Sequence, residues 1–255
     1  MIFCLSLMLP NAFSAQLEPR ETATVLPKGT QQIGVFGPLR LGLGNGLELQ
    51  THPVLNLLSP NLSIKKELQN RDAKVLSLQT DLNYSSFLIS TLARDGIGGV
   101  LAPDIDVPKR MELNMRLLWT LPIHDNHNLT LRLRGDFSLP PYSFDGSEGM
   151  MPYTSIDMPL VYVRTHSSSV GINSGVHFDG AITEKIQYQV GAWAWYLPTV
   201  EESNWSIEQR STLAMQITSK CWLQAGGVFV AGAYPYGSRW HILPIIDAQW
   251  SLGGK

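Results

Sequence analysis

Cysteine is almost absent from this chain, which has only Cys4 and Cys221 among its 255 residues. Cys4 falls within an apolar N-terminal stretch that we expect to be removed, and Cys221 would then be alone. A single cysteine excludes an intramolecular disulfide. An exported protein of this composition must therefore be held together by its fold.

Long apolar runs are also missing. After residue 15 no stretch of about 18 consecutive apolar residues occurs, and this excludes a helical membrane protein. No long segment repeats apolar residues three and four positions apart, as an amphipathic helix would. Basic clusters are missing as well, and the formal net charge is −2. We therefore predict that nucleic acid is not a partner.

Residues 1–15 are predicted to be a signal peptide. They are apolar from Ile2 to Leu9, are broken by Pro10, and end in small residues that suit cleavage after Ser14 or Ala15. No Lys or Arg precedes the apolar run, which departs from the usual form, and the alternative is a disordered apolar N-terminus. Residues 16–255 show no linker or change of composition, so we predict a single domain there.

Alternation with a period of two is the strongest pattern in the chain. Between Met111 and Phe137 one side is apolar and the other carries full charges, with a polar turn at 124–128. The apolar side consists of Leu113, Met115, Leu117, Trp119 and Leu121, followed by Leu129, Leu131 and Leu133. The same alternation recurs along most of the chain, which indicates an all-β protein.

The spacing of turns predicts how the strands are arranged. Short turns at 44–46, 70–72, 124–127, 183–185 and 218–220 fit one end of a barrel, and long connections at 91–110 and 138–169 fit the other. We predict a transmembrane antiparallel up-and-down β-barrel of about 12 strands, within a range of roughly 10 to 14. The first hairpin is shorter than a membrane crossing requires. A soluble barrel or sandwich with the alternation turned inside out is the competing fold.

Tryptophan and tyrosine lie mostly near predicted strand ends, as in the aromatic girdles of outer-membrane barrels. A general preference of aromatic residues for strands would give a similar distribution. The residues concerned are Tyr84, Trp119, Tyr188, Trp193, Trp195, Tyr196, Trp205, Trp222, Tyr234, Trp240 and Trp250.

Both ends of the predicted domain contain short sequence motifs that also occur in other proteins. Residues 22–29 read Thr-Ala-Thr-Val-Leu-Pro-Lys-Gly, residues 34–40 read Gly-Val-Phe-Gly-Pro-Leu-Arg, and residues 47–49 read Leu-Glu-Leu. Near the end, 232–237 read Gly-Ala-Tyr-Pro-Tyr-Gly and 240–244 read Trp-His-Ile-Leu-Pro. The chain thus resembles a poorly characterised family of Gram-negative outer-membrane β-barrel proteins. The resemblance implies residence in the cell outer membrane, contact with its lipid, and assembly by the barrel-assembly machinery.

Catalysis is not predicted. His166 and Ser167–Ser169 could form a triad with Asp157 or Asp179, and hydrolases do occur on barrels of this size. However, no Gly-x-Ser-x-Gly elbow accompanies them, and a serine-rich tetrapeptide is first of all a solvated loop.

Metal binding is not predicted either, and no cofactor is implied. His124, Asp125 and His127 suit a hydrogen-bonded turn better than a set of ligands. Asp104 and Asp106 supply too few oxygens for calcium.

Charged residues on the polar side of the two central strands are the candidate site: Glu112, Arg116, Arg132, Arg134 and Asp136. If these side chains line a lumen, they form either a charged constriction for anions and small polar solutes or a salt-bridged plug. We therefore expect a narrow pore for small polar or anionic solutes. A closed structural barrel displaying outer loops and an outer-membrane hydrolase are the alternatives. We also expect residues 138–169 to fold inward at the barrel mouth, with Leu160–Val163 against the wall.

Overall fold

The computed structural model describes residues 17, 19–56, 60–84, 111–124, 126–139, 170–198, 204–234 and 237–253. Within these residues twelve strands form one closed barrel. Every strand pairs antiparallel with its neighbours along the chain, and the last strand pairs with the first. The predicted all-β, up-and-down barrel is therefore confirmed, with the predicted number of strands.

The first six strands are β1 (Gln31–Gly34), β2 (Leu39–Gly44), β3 (Leu47–Thr51), β4 (Asn61–Arg71), β5 (Lys74–Asn83) and β6 (Met111–His124). The second six are β7 (His127–Leu139), β8 (Val170–Thr183), β9 (Ile186–Tyr196), β10 (Trp205–Gln216), β11 (Cys221–Tyr234) and β12 (Gly237–Leu252). A single helical turn, α1 (Pro53–Asn56), follows β3. The described part of the chain contains no helix that is long and apolar enough to cross a membrane.

The alternation seen in the sequence sets which side chains face out. Along β6 the polar residues Glu112, Asn114 and Thr120 are buried, whereas Met115 and Trp119 are exposed. The outer face of the other strands is likewise apolar, and Leu133 of β7 and Leu213 of β10 are each 54% exposed. A continuous apolar belt around a closed barrel is stable only in lipid. The barrel therefore spans a membrane.

Short turns close one end of the barrel, which we call the turn end. Asn45 and Gly46 have φ of 53° and 66°, and Asp72 and Ala73 have φ of 52° and 60°. Positive φ at both central residues is the geometry of a two-residue hairpin turn, which suits the twist of antiparallel strands. Of the long connections predicted for the opposite, outer end, 91–110 and 140–169 lie outside the described residues. Ser138 and Leu139 were expected in the second connection but belong to β7, where they pair with Glu112 and Met111. The inward fold predicted for 138–169, with Leu160–Val163 against the wall, otherwise stays a prediction.

Aromatic side chains on the outer face lie near both ends of the strands. Trp119, Tyr188 and Trp250 lie toward the turn end, and Tyr196, Trp205 and Trp240 lie toward the outer end. Trp193 and Trp222 differ from the girdle interpretation, because both are buried inside the barrel at 4% and 1% exposure. Strand parity decides their direction, since they alternate with outward-facing Ala194 and Leu223.

The barrel wall is uneven around its circumference. β1, β2 and β3 have 4, 6 and 5 residues, whereas β12 has 16. A strand needs roughly 9 to 11 residues to cross the membrane. The wall at β1–β3 therefore stops well short of the outer end.

Replacing Leu133 by Arg should prevent assembly, because a guanidinium on the lipid face near the bilayer midplane costs roughly 2 to 4 kcal/mol. Leu68→Arg is the matched control. Leu68 is equally exposed, at 55%, but lies close to the β4–β5 turn, where the cost falls to roughly 0 to 1 kcal/mol. The heat-modifiable mobility of the folded barrel on a gel measures assembly. Equal yields of the two variants would contradict the membrane orientation.

Candidate functional site

The inner wall of the barrel is polar and closely packed. Charged and amide side chains from most strands are less than one-tenth exposed. They include Gln32, Arg40, Glu48, Lys65, Gln79, Asp81, Glu112, Arg116, Arg132, Asp136, Asn173, His177, Glu208, Gln224 and Asp247. Polar side chains that are buried to this extent need hydrogen-bond or ion-pair partners, since an unsatisfied buried polar group lowers the stability of the fold.

Some of the partners of these buried side chains are supplied by the part of the chain that precedes β1. We call Leu17 and residues 19–30 the lumen segment; it lies inside the barrel except at residues 27–29, which are exposed. Leu17 is 1% exposed and packs with Ala214 and Trp222 on the inner wall. Ala23 is fully buried and packs with Val75 and Leu118 on the opposite side. The lumen segment therefore crosses the interior from one wall to the other.

An ionic contact lies at the centre of the lumen segment. The Glu21 carboxylate Oε2 is 2.8 Å from the Arg132 guanidinium and 3.3 Å from that of Arg116. Arg116 also reaches Asp81 Oδ2 at 3.2 Å, and Arg132 donates two hydrogen bonds to Asn173 Oδ1. One carboxylate from the lumen segment thus joins two arginines on neighbouring strands.

Glu21 is ionised under ordinary conditions. Burial raises the pKa of its carboxyl, but Arg116, Arg132 and Arg210 outweigh burial and hold the pKa well below its usual value. A depressed pKa gives stability that is present above the ordinary pKa of a glutamate and is lost as the pH falls through the folded value. Mild acid should therefore leave the contact intact.

Lys65 holds the backbone of the same segment. Its ammonium nitrogen donates to the carbonyl oxygens of Arg20 at 3.2 Å, Thr22 at 3.0 Å and Thr24 at 3.4 Å. The side chain is fully buried. An ammonium group has three donors, and here all three point to alternate carbonyls of the lumen segment.

The segment is also joined to β2 and β3. Glu48 forms a bidentate ion pair with Arg40, at 2.7 and 3.0 Å, and accepts a hydrogen bond from Leu26 N at 2.8 Å. Gly42 exchanges backbone hydrogen bonds with Gly29 and Thr30. A Cβ atom at Gly42 would lie 2.0 Å from the Pro27 carbonyl oxygen, so only glycine permits this close approach.

The five candidate residues all face the interior. Arg116 and Arg132 meet through Glu21, and Arg134 forms a separate pair with Asp136 at 2.6 Å. Glu112 is buried near the outer end of β6. The five do not form one ring, because they divide into these local pairs.

Sequence reasoning missed Glu21, Lys65 and Asp81. The available signal for the lumen segment was a run of about fifteen residues between the predicted cleavage site and the first strand. This run does not alternate, and it is longer than a simple leader into β1 would need.

Tryptophan extends the arginine cluster. The guanidinium carbons of Arg132 and Arg210 lie 4.5 and 5.7 Å from the ring of Trp193. Arg134 lies 5.0 Å from the ring of Trp195. The quadrupole of an indole ring attracts a cation above its face, so these contacts restrict the positions of the three arginine side chains.

Other sequence motifs do not meet at a site in the described structure. His127 Nδ1 lies 3.0 Å from the Tyr188 hydroxyl, and among the described residues no group of three or more His, Cys, Asp or Glu could hold a metal ion. Residues 157 and 166–169, Asp104, Asp106 and Asp125 lie outside the described residues, as does the predicted signal peptide.

Comparison with known proteins rests on structure. No protein-family profile and no curated protein matches the chain. The COG4313 outer membrane channel from Pseudomonas putida F1 is similar, with a TM-score of 0.55 and 10% identity, over 93% of this chain and 100% of that one. A KdgM porin in complex with disordered oligogalacturonate is similar with a TM-score of 0.48 and 11% identity, over 88% of this chain and 98% of that one. The outer membrane channel DcaP of Acinetobacter baumannii has a TM-score of 0.44 and 12% identity, over 92% of this chain and 67% of that one.

At this identity the likeness to the Pseudomonas putida channel shows a shared barrel fold, and the two scores below 0.5 add nothing to it. The closed barrel and its apolar belt confirm the outer-membrane β-barrel that the sequence resemblance implied. The protein lies in the outer membrane.

Lys65→Met should loosen the lumen segment. The change removes three charge-assisted hydrogen bonds, and a loss of about 2 kcal/mol would release the segment roughly thirty-fold more often. Trypsin cleavage after Arg20 in the folded, detergent-solubilised barrel, followed by mass spectrometry, measures that release. Lys66→Met, on the outer face of the same strand, is the control. Cleavage at the wild-type rate in Lys65→Met would contradict the clamp.

Proposed function

We propose that this protein is a narrow outer-membrane channel for small anionic solutes and that its own lumen segment closes it. The observation that carries the proposal is the Glu21 carboxylate held between Arg116 and Arg132 inside a closed barrel. The lumen segment belongs to no strand, and ion pairs, hydrogen bonds and apolar packing hold it to the wall, so it can leave without unfolding a strand.

The arrangement supports anions as the solute class. Arg210 adds to the positive potential at Glu21, beside Arg116 and Arg132. When Glu21 leaves, Arg132 loses its carboxylate contact, whereas Arg116 keeps its contact with Asp81 and Arg210 keeps its contact with Glu208. Fixed guanidinium groups recognise carboxylates through paired hydrogen bonds, so a solute carboxylate would take the place of Glu21.

A closed structural barrel is the second candidate. The side chains of the inner wall are buried along most of the described strands, and the lumen segment packs against both sides. If the segment never leaves, the protein presents outer loops on an inert support. Its conductance would then be zero.

Biogenesis is part of the same proposal. Residues 1–15 would direct export and be removed, which leaves residue 16 onward as the mature domain. The barrel-assembly machinery would insert that domain, and the lumen segment would enter the barrel as β1 pairs with β12.

Glu21→Gln should open the channel. The change keeps the shape of the side chain and removes a charge worth roughly 1.5 to 3 kcal/mol in contact with two arginines. The open fraction in planar bilayer recordings should therefore rise tenfold or more. Reversal potentials in a salt gradient should show an anion preference, and Arg132→Gln should weaken it.

Glu184→Gln is the matched control, because Glu184 is exposed in the turn between β8 and β9. It should record like the wild type. If the wild type and Glu21→Gln were both folded and electrically silent, the channel would be excluded in favour of the structural barrel.

A further inference from the structure

Side chains of the inner wall bind the backbone of residues 20–26, in the middle of the lumen segment. The ammonium group of Lys65 donates to carbonyl oxygens of these residues. Thr120 Oγ1 and Glu48 Oε2 accept hydrogen bonds from backbone N–H groups of the same residues, at 2.7 and 2.8 Å. The wall therefore presents a donor to backbone carbonyls and acceptors to backbone N–H groups.

This combination of donor and acceptors suits a peptide. A simple carboxylate offers acceptors alone, so lysine and arginine side chains would be sufficient to bind it. Carbonyl and N–H groups that follow one another at short intervals are a property of the polypeptide backbone. Glu48 on β3 and Thr120 on β6 lie on either side of Lys65 on β4, so the acceptors flank the donor.

The wall also selects side chains of the bound segment. The carboxylate of Glu21 lies between two arginines. Two positions later, Ala23 is fully buried against Val75 and Leu118, which leaves little room for a larger side chain. An acidic residue followed two positions later by a small one is thus the pattern that this wall binds.

We infer that the solutes of the channel are short acidic peptides, and that the lumen segment closes the barrel by occupying their binding site. The inference rests on the proposed channel and narrows its solute class. A tethered segment has an effective concentration on the order of millimolar at its site. A free peptide therefore competes well only after the segment has been displaced.

Competition in full-length Glu21→Arg tests the inference. A third guanidinium beside Arg116 and Arg132 repels them, so the segment should leave its site and the variant should conduct. The probe is the hexapeptide of residues 21–26, Glu-Thr-Ala-Thr-Val-Leu, with an acetyl group whose carbonyl replaces that of Arg20 and with an amidated C-terminus. It should halve the anion current at a concentration roughly thirtyfold lower than glutarate, which has the carboxylate but no peptide backbone.

The reversed hexapeptide is the matched ligand control, because it has the same composition and charge. It should require a concentration roughly tenfold higher than the forward peptide. Adding Lys65→Met to Glu21→Arg should weaken the block by the forward peptide roughly thirtyfold. Adding Lys66→Met, which changes an exposed lysine of the same strand, should leave the block unchanged.

Fluorescence anisotropy of the labelled peptides with the detergent-solubilised variant measures the same affinities without a current. Heat-modifiable mobility confirms folding, and Glu21→Gln replaces Glu21→Arg as the host if Glu21→Arg does not fold. Equal blocking concentrations for glutarate and the hexapeptide would overturn the peptide site and leave the channel standing. Equal binding of the forward and reversed peptides would do the same. A folded but silent host would instead exclude the channel, and the inference would fall with it.

Discussion

The ionic contact of Glu21 with Arg116 and Arg132 is the constraint on which the interior depends. Charges inside a membrane protein must be neutralised within the protein, since lipid chains can neither solvate them nor form hydrogen bonds with them. Most inner-wall arginines have a carboxylate nearby on the wall, as Arg40 has Glu48 and Arg134 has Asp136. The carboxylate in direct contact with Arg132 comes from the lumen segment. The wall and the segment are therefore complementary parts of one electrostatic unit.

The short strands β2 and β3 hold the lumen segment in place. β2 and β3 supply Arg40, Glu48 and the close approach at Gly42, and these fix the lumen segment just before it becomes β1. The position of the lumen segment therefore depends on these short strands as well as on Glu21.

The sequence predicted the strands and the direction of their side chains, because both depend on local alternation. Arg116 and Arg132 were placed on the inner face because each side of a strand is read from parity alone, and strand number followed from the turns. Glu21 could not be placed in this way, because it lies 95 and 111 residues from its partners and belongs to no strand. The girdle interpretation was wrong for Trp193 and Trp222, because residue type was weighed above parity, and parity governs direction in a sheet.

A reversible cross-link across the lumen tests the account most directly. Ala23 N donates to Thr120 Oγ1 at 2.7 Å, so cysteines at positions 23 and 120, with Cys4 and Cys221 replaced by Ser, lie close enough to bond. If the lumen segment closes the channel, planar bilayers should show no openings under oxidising conditions and recover anion currents when a reductant is added. Currents of equal size before and after reduction, with the cross-link verified by mass spectrometry, would contradict closure by the lumen segment.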